Sequence, residues 1–317
     1  MLDLKRIHNI VRAYLVNEYL SQDKAVRAIL EEHVKEIEDL LYRGQFSTDV
    51  GQIAMLLDGL TDQLYKQLEE VMDRAIFVGV TSGTIEYKTI IEYVAVEAGM
   101  NARPISKVIR QANNKAVDAA LKKQTAGLTL SERIWTTSKT VNESLGAIVV
   151  DALKEGDHPR DIAKKMQRYV QADAKTLVVE YPNMMERIGD MLPDDLSYEA
   201  LRLARTEMAS AYGEAEIRTA EEAPYSEGIK WELSNAGVAC QTCRDNAERI
   251  TDLGVGSYRT DELPTYPAHP NCMCKLTHIV EDLQDFSKRM KEWVDGVPHP
   301  DIEKWYKEVY SQMEEYS

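Results

Sequence analysis

All four cysteines of the chain fall between Cys240 and Cys274, and this clustering constrains the fold more than any other feature. The first half-site is a C-x2-C pair, Cys240 and Cys243. A stretch from Arg244 to Ala268 separates it from an H-x2-C-x-C set, His269, Cys272 and Cys274. Four cysteines are too few for a disulfide scaffold in 317 residues, so a metal knot is the expected use. A C-x2-C turn offers two thiolates to one ion, a second half-site closes a tetrahedron, and mixed S and N donors suit Zn2+. Five donors compete for four positions. Cys240, Cys243 and Cys272 are expected to ligate, with Cys274 or His269 as the fourth. The segment between the half-sites is poor in large apolar residues, so a bound ion would supply its folding energy. A closed four-ligand site leaves no position for a substrate, which points to one structural zinc. Redox-dependent disulfides, free thiols, or chemistry at a Cys–His pair such as Cys240 with His269 are the competing uses.

The rest of the chain reads as mainly α, with long N-terminal helices and a small α+β C-terminal core that includes a short two-stranded β element. Ile7, Ile10, Val11, Tyr14 and Leu15, then Val26, Ile29, Leu30, Val34, Ile37, Leu40 and Leu41, recur at helical spacing. A break at Ser21 or Asp23 and a stop at Gly44 are expected. Ser47-Thr48-Asp49 offers a cap for a helix running through Leu56, Leu64 and Met72. Gly79, Gly83, Gly99, Pro104 and Gly127 are expected to break residues 76–130, leaving helices at Glu86–Glu97 and Ile105–Lys123. A helix through Val141, Leu145 and Leu153 should stop at Gly156, and His158-Pro159 should open the next. Residues 182–196, rich in Pro and Asp, read as a connector. Ser197 is expected to cap a helix to about 222 that buries Leu201, Ala204, Met208, Ala211, Tyr212 and Ala215. Gly228–Leu233 and Lys275–Val280 alternate as two pairing strands. Residues 281–295 and 301–316 are acidic helices. The domain reading is 1–126 N-terminal helical, 127–196 helical connector, 197–280 the knot-bearing domain and 281–317 an acidic helical tail.

Charge narrows the partners. Lys and Arg number 38 against 53 Asp and Glu, a net charge of −15, which argues against coating nucleic acid over the whole surface. Segment 101–139 is the exception, with Arg103, Lys107, Arg110, Lys115, Lys122, Lys123, Arg133 and Lys139 against Asp118 and Glu132. It is the one stretch that suggests contact with an acidic partner or with phosphates, against a solvated helix face. No apolar run reaches the ~18 residues a bilayer requires, so no membrane association is expected. The charged N-terminus lacks an export signal, so the chain is expected in a cytosol.

No GxSxG, Walker A or GxGxxG pattern occurs. Glu214 and Glu216 form a Glu-x-Glu on a helix and read as a solvated face. Trp231 and Trp135 read as core residues. His8, His33 and His158 read as solvent-facing, His299 as a loop residue, and His278 as an improbable ligand.

The ordered combination LARTEMASAYGEA (203–215), GIKWELS (228–234), CQTC (240–243) and PAHPNCMCKL (267–276) resembles the phage minor head, or head morphogenesis, proteins of the Mu F type. The specific likeness covers 197–280, and GLTLSERIW (127–135) extends it loosely. Two positions depart from the pattern. Ser234-Asn235-Ala236-Gly237 stands where the family often has Asp, and Met273 stands where it often has Arg; neither removes a proposed ligand. The resemblance implies a structural minor capsid protein of a tailed bacteriophage, located in the virion near the portal and in the host cytoplasm during assembly. Its implied partners are the portal protein or the major capsid protein, with packaged DNA met through segment 101–139 and ejection with that DNA as a further expectation. It also implies a clamp role for Arg205 and Glu207, against an ordinary surface pair. The alternative is a toxin-like or nucleotide-modifying enzyme, similar to an ADP-ribosyltransferase or an HNH-like nuclease, but no catalytic set for it is visible. A nucleic-acid-binding zinc module is weak, because Arg244, Arg249, Arg259 and Lys275 are balanced by Asp245, Glu248, Asp252, Asp261 and Glu262.

Overall fold

The computed structural model describes residues 2–43, 50–234 and 239–311. The protein is mainly α with a small sheet. In chain order the long helices are α1 (Leu4–Tyr42), α2 (Val50–Glu97), α3 (Arg103–Lys122), α4 (Leu130–Lys154) and α5 (Pro159–Gln171). Short helices α6 (Ala174–Glu180) and α7 (Pro182–Ile188) precede α8 (Leu196–Glu222). Strand β1 (Ser226–Glu232), helix α9 (Gln241–Glu248), three two-residue strands β2 (Ile250–Thr251), β3 (Gly254–Val255) and β4 (Ser257–Tyr258), and strand β5 (Lys275–Val280) follow. Helices α10 (Leu283–Val294) and α11 (Pro300–Trp305) come last, α11 continuing into a π turn over Tyr306–Tyr310. No described helix is long and apolar enough to cross a membrane.

The chain divides into two compact units, each discontinuous in sequence. The helical unit comprises Tyr19–Arg74 and Leu121–Arg205. Its core is built from Val26, Leu30, Val34 and Ile37 of α1, Leu64, Leu68 and Met72 of α2, and Val141, Leu145 and Ile148 of α4, all essentially solvent-free. Val26, Leu30, Val34 and Ile37 lie three to four apart, so one stripe of α1 is apolar. The expected break at Ser21 or Asp23 does not occur. No Gly or Pro interrupts that stretch, and Asp23 instead pairs with Arg205 of α8 at 3.0 Å. Gly44 and Ser47-Thr48-Asp49 lie outside the described residues. Thr129 and Glu132 form a reciprocal capping box at the start of α4, and the imidazole of His158 accepts from Arg160 N at 3.2 Å to open α5. Residues 182–188 are helical rather than a connector. Pro182 sits at the first helical position, where its missing N–H goes unneeded, and Met184 and Ile188 are buried one turn apart. Asp195 caps α8 by accepting from Tyr198 N at 2.8 Å, while Ser197 instead donates to the Val170 carbonyl.

A polar chain crosses this core. His33 is fully buried, not solvent-facing, and its Nε2 meets Asn142 Oδ1; Asn142 Nδ2 donates to Thr61 Oγ1 and, at 3.3 Å, to the Leu57 carbonyl. Trp135 is also corrected. It is 43% exposed and packs edge-on against Tyr65, with ring centroids 5.8 Å apart.

The mixed unit comprises Met1–Glu18, Ala75–Ala120 and Thr206–Ser317. Gly79 and Gly83 do not break the chain: α2 runs through both. A Cβ at Gly79 would lie 2.4 Å from the Met208 carbonyl oxygen, and one at Gly83 2.5 Å from that of Tyr212. The two glycines sit one turn apart on the face that meets α8, so they let two backbones touch rather than ending a helix. Glycine in a helix interior costs ~1 kcal/mol against alanine, and the close packing offsets it. The expected breaks at Gly99, after α2, and at Gly127, between α3 and α4, do occur, both at positive φ.

The sheet has the order β4-β1-β5, with β1 antiparallel to both neighbours. The pairing places Ile229 opposite His278 and Trp231 opposite Leu276. Beyond the expected two strands, β4 adds an edge and β2–β3 forms a separate ribbon. The apolar faces of the acidic C-terminal helices are buried: Phe286 and Met290 of α10 and Ile302 and Trp305 of α11 join Tyr87, Ile90, Val94 and Ile105 in one cluster. The indole of Trp305 donates to Tyr87 OH at 2.9 Å, and Tyr310 OH donates to the Asn101 carbonyl at 2.7 Å.

Candidate metal centre

The first half-site is made by a helix start. Cys240 is the N-cap of α9, and its sulfur accepts from Cys243 N at 3.4 Å. The three-residue step turns Cys243 inward, where it is 2% exposed, while Cys240 stays at the surface. Sequence reading missed α9 because Gln241–Glu248 carries no apolar periodicity; the sulfur cap was the available signal.

The second half-site precedes β5. His269, Cys272 and Cys274 follow one another through a tight turn in which Cys272 N donates to the His269 carbonyl at 3.2 Å. Asn271 adopts a left-handed φ of 59°, which Asn tolerates better than most residues. Its N–H donates to Thr206 Oγ1 at 3.2 Å, so the Thr of the Arg-Thr-Glu helix motif holds the turn. Arg205, expected as a clamp on the knot, is instead directed to Asp23. Glu207 is buried.

Behind the turn lies an aromatic support. Tyr266 OH donates to the Cys274 carbonyl at 2.7 Å, and Tyr212 OH to the Leu276 carbonyl at 2.6 Å. The Tyr266 ring stands edge-on to Trp231, centroids 5.2 Å apart, and lies directly over Gly213, where any Cβ would fall within its ring atoms. Trp231 is 1% exposed, as expected for a core residue.

The two half-sites converge. Cys240, Cys243 and His269 place one ligand atom each within 4.8 Å of one another, and so do Cys243, Cys272 and Cys274. Cys243 belongs to both groups. Its sulfur is 3.7 Å from that of Cys272, far beyond the ~2.05 Å of a disulfide, and 3.2 Å from His269 Nε2. His269 Nδ1 faces the Pro270 carbonyl at 2.8 Å. A proton held there leaves the Nε2 lone pair free toward the sulfurs, the second-sphere arrangement usual for ligating histidines.

The thiols differ in acidity. Hydrogen bonding from Cys272 lowers Cys274 to about 6 against the opposing effect of burial. Burial first, then hydrogen bonding with Cys274, pushes Cys243 up to about 12. Hydrogen bonding to Cys274 and burial raise Cys272. Cys240, Cys243, His269, Cys272 and Cys274 can therefore form a metal-binding site.

His278 is not part of this set. It is buried beside Glu216 of α8, at 3.0 Å. Glu216, expected on a solvated face, is 2% exposed, whereas Glu214 is exposed. Neither residue carries a local sequence signal, because the pairing joins a strand to a helix far away in the chain.

Compared with protein-family models, with curated proteins and with solved structures, the chain finds no match.

Proposed function

We propose that the chain is a structural minor head protein of a tailed bacteriophage, acting near the portal during head assembly, with one zinc ion tying its C-terminal domain. The observation that carries this reading is the meeting of the two half-sites at Cys243, with the Arg-Thr-Glu helix reaching the second half-site through Thr206. The four motifs that carry the resemblance thus serve one local structure. Thiolates with one imidazole favour Zn2+, and a site closed by four protein ligands is structural. The portal or the major capsid protein is the proposed partner, and the basic residues of 101–139 are the proposed contact with packaged DNA.

Metal analysis of the full chain should find about one zinc per molecule. Affinity capture of the full chain from phage-infected cells should retain the portal ring, and imaging of the particle should place it inside the head. A metal-free, fully folded protein would remove the zinc. Absence from purified virions would remove the capsid role.

A further inference from the structure

The mixed unit buries a second set of ionisable side chains, apart from the sulfur cluster. His278 stands in the middle of β5 with its side chain fully buried, its Nε2 3.0 Å from Glu216 Oε2 and 3.3 Å from Thr219 Oγ1, both on α8. A second carboxylate, Glu86 of α2, is only 2% exposed and acts electrostatically on both members of the pair. Glu86 is itself held by His8 of α1, whose Nε2 lies 2.8 Å away. Four tyrosines enclose the group. Tyr212 interacts directly with Glu216, the Tyr225 ring centroid is 6.4 Å from that of His278, and Tyr87 and Tyr266 stand behind these two. His278 Nδ1 and the hydroxyls of Thr81, Ser82, Tyr225 and Ser226 are buried without a hydrogen bond among the described residues.

Two carboxylates buried this closely repel one another and lose their hydration, so the arrangement persists only with compensating protons or cations. His278, 3.0 Å from Glu216, provides one at that carboxylate. Burial pushes Glu216 up to about 7, against the attraction of His278. Burial pulls His278 down, but Glu216 and Glu86 outweigh it, and the net shift is upward. Both groups move in the same direction, so the folded unit binds more protons than the unfolded chain. The contributed stability is complete at low pH and is lost as pH rises, from the ordinary Glu value of 4.5 through about 7 for Glu216 and above the ordinary His value of 6.5 for His278.

We propose that this cluster is a proton-operated latch: while it holds its proton, β5 is fastened to α8, and loss of the proton loosens the strand. The inference stands independently of the capsid reading. Its structural consequence is local, because β5 begins immediately after Cys274 and carries His278 at its centre.

The test is a histidine-selective NMR titration of the zinc-supplemented full chain from about pH 5 to pH 9, with the His278 signal assigned by His278→Gln. The expected result is an imidazolium signal for His278 that persists above its ordinary midpoint. Glu216→Gln should lower that midpoint by about one pH unit or more, a tenfold loss of proton affinity. Amide exchange along β5, corrected for intrinsic rates, should quicken about tenfold across the same titration in the unchanged protein and less in Glu216→Gln. Should Glu216→Gln fail to fold, Glu86→Gln gives the same comparison with a smaller downward shift. A His278 that is neutral throughout, a midpoint unmoved by both substitutions, or β5 protection indifferent to pH would each overturn the latch.

Discussion

His269 Nε2 faces the Cys243 sulfur at 3.2 Å while its Nδ1 is turned to the Pro270 carbonyl at 2.8 Å. The ring thus presents Nε2 to the sulfurs, which makes His269 and Cys274 distinguishable as the fourth ligand. Cys243, shared by both donor groups, should be indispensable: Cys243→Ser should abolish zinc retention in the full chain. If His269 ligates, His269→Ala should weaken zinc binding more than Cys274→Ser does; if Cys274 ligates, the order reverses. Competition with a chromogenic chelator measures both. Affinity should also rise with pH, because thiols must lose protons to ligate.

Zinc removal has a structural counterpart. The loop between the half-sites has little core of its own, so a chelator should expose amides in residues 239–274 to exchange first. The helical unit should keep its protection, since its core of Leu30, Leu64 and Leu145 contains no sulfur ligand.

Thr206→Val removes the acceptor for Asn271 N and keeps the side-chain volume. The expected loss is about 1 kcal/mol in urea unfolding, with zinc retained but released faster. An unchanged release rate would mean that the turn holds itself.

The helical unit has the opposite pH behaviour to the mixed one. Burial lowers His33 below its ordinary value of 6.5, with hydrogen bonding to Asn142 opposing. The unfolded chain then binds the extra proton, so this contribution to stability is full above 6.5 and is lost as pH falls below it. Asn142→Ala should cost about 1–3 kcal/mol by removing the buried partner of His33 Nε2. Denaturant midpoints between about pH 5 and pH 8 check both statements.

Gly79→Ala and Gly83→Ala should each destabilise by about 1–3 kcal/mol, because the added carbon meets a backbone oxygen that cannot move aside. Helix propensity alone predicts the reverse sign, so thermal unfolding decides cleanly between the two effects.

These two glycines also show where reading by sequence stops. A glycine that ends a helix and one that lets another helix touch it look alike until the partner is known. Asp195, not Ser197, caps α8, and the Ser197 hydroxyl was taken by a distant carbonyl. Glu216 and His33 were misjudged for the same reason: a polar residue at helical spacing reads as solvated unless its buried partner is visible. What was legible rested on local chemistry. Pro159 after His158, the alternation of β1 and β5 and the spacing of the cysteines each act over a few residues. The helix at 182–188 was hidden by Pro182 and by the Asp and Pro residues that follow it at 190–195, although Met184 and Ile188 supplied a short apolar period.

The contact at Gly79 and Gly83 has one more consequence. Main-chain atoms, not interchangeable side chains, set the spacing of α2 and α8 there. Such a junction behaves as a rigid gauge: ordinary drift among the surrounding aliphatic residues can alter its strength but hardly its width. The platform on which Thr206, Tyr212 and Glu216 are mounted therefore keeps its dimensions while much of the neighbouring interior is free to diversify.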